Sequence, residues 1–295
     1  MTSPRLKPVV CALAAMLLPA ATAPATMVIN GGLTYADNNR FGASFIGADY
    51  NWSGVSKNSD NRATMVSPSY FLTAKHYAPG VGSTVTFQGS NGTDYSYTVA
   101  SLVTLTTVIG STTYNSDLAL GKLATPVNAF ISQYAVPIPG AVFFNDPLFM
   151  YGAGNYAGKN AVDGVEIVSG SGVYGVSLIM YYDNFPDEGF LQAGDSSSPS
   201  FVIRNGQLAM VGTHWAIDGP DSNWPTSTGP YGLYYSVDTY VPFYIGQINS
   251  LMTGGEQLTV LVPEPAGHLL GATLLLVCLR HRHQRHAGRS GTAHP

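Results

Sequence analysis

The chain has 295 residues, 10% of them charged and 45% hydrophobic, with 33 Gly and 19 Pro. A chain this long can bury a sizeable core, and its charge, far below the roughly 25% of an average soluble domain, makes coiled coils, long charge-laced helices and polyampholyte disorder poor readings. The formal net charge is −4, but Arg5, Lys7, Arg280, Arg282, Arg285 and Arg289 lie near the ends; residues 26–262 hold 7 basic and 16 acidic residues, a balance of −9 that argues against nucleic acid as the main partner.

In chain order, Arg5 and Lys7 precede an apolar run from Val9 to Leu18, and small residues follow through Ala23-Pro24-Ala25. This is the layout of a cleaved secretory signal over residues 1–25. An uncleaved anchor is the alternative, disfavoured because the run is short for a bilayer span of about 20 residues. Short apolar or alternating runs then recur between turn residues: Tyr70 to Thr73, Ser83 to Gln88, Tyr95 to Leu105, Ala141 to Tyr151, Val165 to Val168, Val173 to Tyr182, Ser200 to Arg204 and Leu208 to Trp215. That spacing predicts an all-β sandwich or barrel. Asn205-Gly206 is the strongest hairpin signal, because both residues tolerate the positive φ of a tight turn. The proline-bearing stretch 124–140 predicts a link between two β halves. One helix is predicted near the end, where Tyr244, Ile245, Ile248, Leu251 and Met252 share a face, with Asp238 or Thr239 as caps and Gly254-Gly255 as the stop.

The tail carries Val262-Pro263-Glu264-Pro265, an apolar stretch from Ala266 to Leu279, and then Arg280-His281-Arg282-His283-Gln284-Arg285. Basic residues after an apolar run hold that end inside. The order resembles the PEP-CTERM sorting signal of exported Gram-negative bacterial proteins, which implies an exosortase-type processing enzyme as a partner. An ordinary anchor over 266–279 is the alternative; either way the body is exported, to the envelope, surface or matrix.

Both cysteines, Cys11 and Cys278, lie in these ends, so the body has no disulfide and no thiol nucleophile. Its two histidines, His76 and His214, lack ligand-like spacing, so no metal is expected. His76 ends the run Tyr70-Phe71-Leu72-Thr73-Ala74-Lys75-His76, where a rigid strand could hold a general base. Asp117 precedes the apolar Leu118-Ala119-Leu120, a setting suited to a buried acid. Gln192-Ala193-Gly194-Asp195-Ser196-Ser197-Ser198-Pro199 is a small-residue turn in which backbone amides could converge. Taken singly, each has an ordinary structural reading: a packed histidine, a turn aspartate and a polar loop.

Together the three blocks resemble the L-T-A-A-H, D-I-A-L and G-D-S-G-G-P signatures of chymotrypsin-like serine peptidases, in that family's His, Asp, Ser order. The resemblance implies two successive six-stranded Greek-key β-barrels with a C-terminal helix: a first barrel over about 26–125, a second over about 141–238, a closing helix over about 239–252, a linker over 256–261 and the sorting signal over 262–289. It implies Ser196 as nucleophile, His76 as general base and acid, Asp117 as the orienting carboxylate, and the N–H groups of Gly194 and Ser196 as oxyanion donors, acting on protein or peptide substrates without a cofactor. Two departures stand out: Lys75 replaces a small residue, and Ser197 and Ser198 replace glycines. Asp195 either pairs with a new amino terminus near Val28-Ile29-Asn30-Gly31-Gly32 or caps its own turn. Gly212-Thr213-His214-Trp215 resembles the G-x-H-W sequence of glutamyl endopeptidases, which implies that His214 helps bind an acidic side chain, and Phe190, six residues before Ser196, offers no carboxylate to pair a basic one; Thr213, His214, Trp215 and Phe190 are thus the expected substrate-binding residues, and the alternative packs His214 beside the triad. Two other classes remain open: a catalytically silent protease-like binding module, suggested by Ser197-Ser198, and a structural β-sandwich surface protein.

Overall fold

The computed structural model describes residues 27–57, 62–170, 172–219, 225–226, 228–229 and 231–262. The predicted leader (1–25), the apolar segment 266–279, its basic tail and both cysteines lie outside the described residues. The chain divides into two units, 1–261 and 262–295, and only Val262 of the second is described.

The architecture is all-β, as the alternating runs predict. In chain order the strands are β1 (Val28–Ile29), β2 (Thr64–Met65), β3 (Tyr70–Ala74), β4 (Thr84–Gln88), β5 (Asp94–Ile109), β6 (Thr112–Leu123), β7 (Val136–Pro137) and β8 (Pro147–Tyr151). They continue with β9 (Ala157–Ala161), β10 (Gly164–Gly170), β11 (Val173–Tyr181), β12 (Gly189–Phe190), β13 (Pro199–Arg204), β14 (Gln207–Asp218), β15 (Tyr235–Tyr240) and β16 (Val260–Leu261). Besides one short helix, α1 (Tyr35–Asn38), the chain forms α2 (Ile245–Leu251) near its end.

The first half is an antiparallel sheet in the order β2-β3-β6-β5-β4. Its edges are drawn together by residues 54–57. The Met65 N–H donates to Gly54 O and the Ser56 N–H to Ala63 O, each at 2.9 Å, while the Lys57 N–H donates to Thr86 O at 2.8 Å. Register shifts between Val99 and Ser101 and between Thr104 and Thr106 mark bulges along the 16-residue β5, the device that lets one long strand coil.

The second half is an antiparallel sheet in the order β10-β11-β15-β14-β13-β8-β9. Its outer strands β9 and β10 are consecutive in the chain, and Asn160 Nδ2 donates to Tyr181 O at 3.1 Å, tying β9 to β11. Two antiparallel halves followed by a short helix fit the double barrel that the resemblance implies.

Period-2 alternation explains how one strand serves two cores. Every residue of β3 is buried: Phe71 points into the first half with Met65, Val85, Phe87, Val99 and Leu123, whereas Tyr70 and Leu72 join a second cluster with Leu118, Leu120, Trp52, Phe201, Met210 and Tyr151. That second cluster unites side chains of both sheets and takes in Ile248 of α2. A third, with Leu148, Met150, Leu178, Met180, Val202 and Val211, fills the second half. Gly121 sits opposite Phe71 in the ladder, and a Cβ there would lie 2.0 Å from the Phe71 ring, so only glycine fits.

Several expectations need correction. The run 141–151 is a strand only from Pro147; a 3₁₀ turn occupies Pro139–Ala141, and Asp146 accepts from Arg204 and from the Phe143 N–H. Residues 256–261, expected as a linker, are docked: Glu256 accepts from Ser67 Oγ and the Ser69 N–H, Leu258 is buried, and β16 pairs in parallel with β7. Pro137 therefore belongs to a paired strand inside the stretch expected as a simple link. The helix is shorter than expected, because Val241–Tyr244, with Pro242 in its first turn, is 3₁₀. Asp238 and Thr239 lie in β15 and cap nothing.

Candidate active site

Strand β3 ends at Ala74, and the chain turns through a 3₁₀ helix, Lys75–Tyr77, that carries His76. Ala74 pairs with Leu118 of the neighbouring β6, so Asp117 arrives beside that turn. Asp117 Oδ2 lies 2.7 Å from His76 Nδ1, and Oδ1 accepts the His76 backbone N–H at 3.0 Å. The carboxylate is 1% exposed and the imidazole side chain 44% exposed. A carboxylate against Nδ1 places the ring proton there and leaves Nε2 as an acceptor. Nε2 lies 2.9 Å from Ser196 Oγ. Three segments separated by 41 and 79 positions thus meet in one hydrogen-bonded row, His76 and Asp117 from the first sheet and Ser196 from the loop before β13. Ser116, next to Asp117, is itself fixed: its Oγ donates to Tyr244 Oη at 3.0 Å, and that phenol also bonds Thr107 Oγ1 at 2.7 Å.

The nucleophile loop is built on buried backbone contacts. Gly194 has φ +103°, a conformation that L side chains rarely adopt. Among the described residues, the N–H groups of Gly194 and Ser196 have no hydrogen-bond acceptor, whereas those of Asp195, Ser197 and Ser198 donate to Gln192 O, His214 O and Asp195 O. Asp195 is fully buried; its Oδ1 accepts the Ala153 N–H and its Oδ2 the Gln192 N–H, each at 2.7 Å. Burial pushes its carboxyl up to about 6, against the lowering effect of those two donors. Both oxygens are taken by backbone amides, one within its own turn, and Val28 and Ile29 pair with Phe190 and Gly189 in β1 and β12.

Of the departures from the family signatures, Ser197 and Ser198 are buried, Ser197 with φ +70°, and Lys75 faces solvent.

Of the four residues expected around a specificity pocket, three are buried. His214 is 1% exposed; its Nδ1 lies 2.6 Å from Asp238 Oδ1 and its Nε2 2.8 Å from Tyr151 O. A carbonyl only accepts, so Nε2–H donates to it, and both ring nitrogens are engaged inside the protein. Thr213 is buried, and Phe190 is enclosed between Tyr182 and Tyr234. Trp215 is half-buried against Val168, Ile179 and Val237. The structure brings His76, Asp117, Ser196 and Gly194 together but does not turn His214, Thr213 or Phe190 toward solvent. Asp238, expected as a helix cap, is instead the partner of His214, which it faces across the paired strands β14 and β15.

Among the described residues, no group of three or more His, Cys, Asp or Glu side chains could hold a metal ion, and no helix is long and apolar enough to cross a membrane. No protein-family model and no curated protein matches the chain. Among solved structures, the fold is similar to the NS6 protease from murine norovirus 1 over 64% of this chain and 91% of that one, at 15% identity and a TM-score of 0.41.

Proposed function

We propose that this chain is a serine endopeptidase working through an acyl-enzyme. The observation that carries the reading is the row Asp117–His76–Ser196, with contacts of 2.7 and 2.9 Å, its acid buried and its imidazole open to solvent. Ser196 Oγ attacks the scissile carbonyl as His76 Nε2 takes its proton; the C–N bond breaks as the imidazolium returns that proton to the leaving amine. Water then attacks the ester by the same route, and the acid and free serine are released. Asp117 holds the ring in the tautomer this requires and stabilises the imidazolium. The uncommitted N–H groups of Gly194 and Ser196 are the donors for the oxyanion, where loss of one typically costs about 10²–10³ in turnover.

Hydrolysis of an unstructured protein substrate tests this. Ser196→Ala and His76→Ala should each lower kcat by about 10⁴-fold or more. Wild-type turnover in Ser196→Ala would remove serine from the mechanism.

The sequence of the two ends supports a further part of the reading, that the body is exported and its tail processed at the membrane by an exosortase-type enzyme. The intact mass of the mature protein reads it directly: loss of about 25 residues from the front and of the tail beyond Val262 is expected, and a full-length mass contradicts it.

A further inference from the structure

Ser197 stands where the motif this loop resembles carries glycine, and its backbone has φ +70°, in the left-handed region where a Cβ is a cost. A side chain retained there has to return something. Its Oγ lies 3.1 Å from Tyr77 O and 3.3 Å from Ala74 O, so one hydroxyl proton is shared between two carbonyls. Those carbonyls bracket the 3₁₀ turn that carries His76. On its other side, the Ser197 N–H donates to His214 O at 3.1 Å, which fixes the residue to β14. Ser197 is fully buried, so these contacts are sheltered from water.

We propose that Ser197 is a positioning residue whose hydroxyl staples the histidine turn to the nucleophile loop and so sets the distance between His76 Nε2 and Ser196 Oγ. The inference rests on the peptidase reading for its kinetic consequence but not for its structural one. Asp117 holds the turn from the first sheet through the His76 N–H; Ser197 holds the flanking carbonyls from the second. Apart from their own hydrogen bond, nucleophile and base are then linked through Ser196, Ser197, Tyr77 and His76. Small displacements of reacting groups cost far more rate than binding.

Two variants separate the hydroxyl from the backbone. Ser197→Ala keeps the Cβ in the left-handed region and loses the staple; Ser197→Gly loses both the staple and the conformational cost. Both should lower kcat by about tenfold with KM nearly unchanged, and Ser197→Gly should melt about 2–4 °C above Ser197→Ala. Amide hydrogen exchange over residues 74–78 should quicken in both. Unchanged kcat in either variant of an active enzyme, or an effect confined to KM, would overturn the proposal. Should the wild type prove inactive, the peptidase reading fails while exchange still decides the staple: faster exchange over 74–78 upholds it, and unaltered exchange defeats it.

Discussion

His214 shows how a single side chain can carry a motif and serve another purpose. Its place in Gly-Thr-His-Trp suggests a pocket wall, yet its ring joins Asp238 of β15 to the carbonyl of Tyr151 in β8, and its own backbone holds Ser197 and Ser198. Gly212, two positions before, is what admits the partner: a Cβ there would lie 2.2 Å from Asp238 Oδ2. Removing the imidazole leaves a buried carboxylate without its counterpart, which costs about 3–5 kcal/mol. His214→Ala should therefore be destabilised by that order in urea unfolding, with the ratio of cleavage after Glu and after Leu unaltered. A selective loss of cleavage after Glu at wild-type stability would return His214 to the substrate pocket. Local sequence could not distinguish these roles, because the decisive neighbours, Asp238 and Tyr151, are 24 and 63 positions away. His76, Asp117 and Ser196 were legible only together: each short run alone reads as ordinary structure, and it is their joint resemblance, in chain order, to one set of signatures that singled them out.

At the scale of elements, legibility followed the source of the ordering force. Apolar or alternating runs, such as β3, β4, β11 and β14, stand out in sequence, and so does the Asn205-Gly206 turn, where both residues take positive φ. Less visible were β9 and β15: Ala157-Gly158-Lys159-Asn160-Ala161 has little apolar character, and β15 has polar residues at Ser236, Asp238 and Thr239 that are nonetheless buried between neighbouring strands. The docking of residues 256–261 was equally hidden, because it depends on donors and a strand edge far away at Ser67, Ser69 and β7. Tyr244 belongs to the same class. Helical periodicity marks it as apolar, but its hydroxyl is what links the closing segment to Thr107 and Ser116, beside the catalytic acid.

For the whole molecule, two buried carboxyls give a pH dependence that can be worked out in sign. Desolvation pushes Glu188 up to about 7 from 4.5 and Asp195 up to about 6 from 3.8. The folded state therefore binds more protons than the unfolded chain between those values, and stability falls as pH rises from about 4 to about 7. Glu188 accepts the Asp183 and Phe185 N–H groups in the loop that leads to β12. Glu188→Gln should flatten the upper part of the melting profile, and equal melting temperatures for the wild type at both ends of that range would refute the assignment. The double-sheet plan was legible because it follows from strand spacing and the order of three blocks; the closure of each half was not, since it rests on single bonds such as Lys57 N–H to Thr86 O.

The central claim is that Ser196 is an activated nucleophile, and mapping of a fluorophosphonate adduct by mass spectrometry tests it most directly. One adduct on Ser196, absent in Ser196→Ala and strongly slowed in His76→Ala, is the predicted result. Equal labelling of the wild type and Ser196→Ala, or an adduct on a different serine, would contradict it.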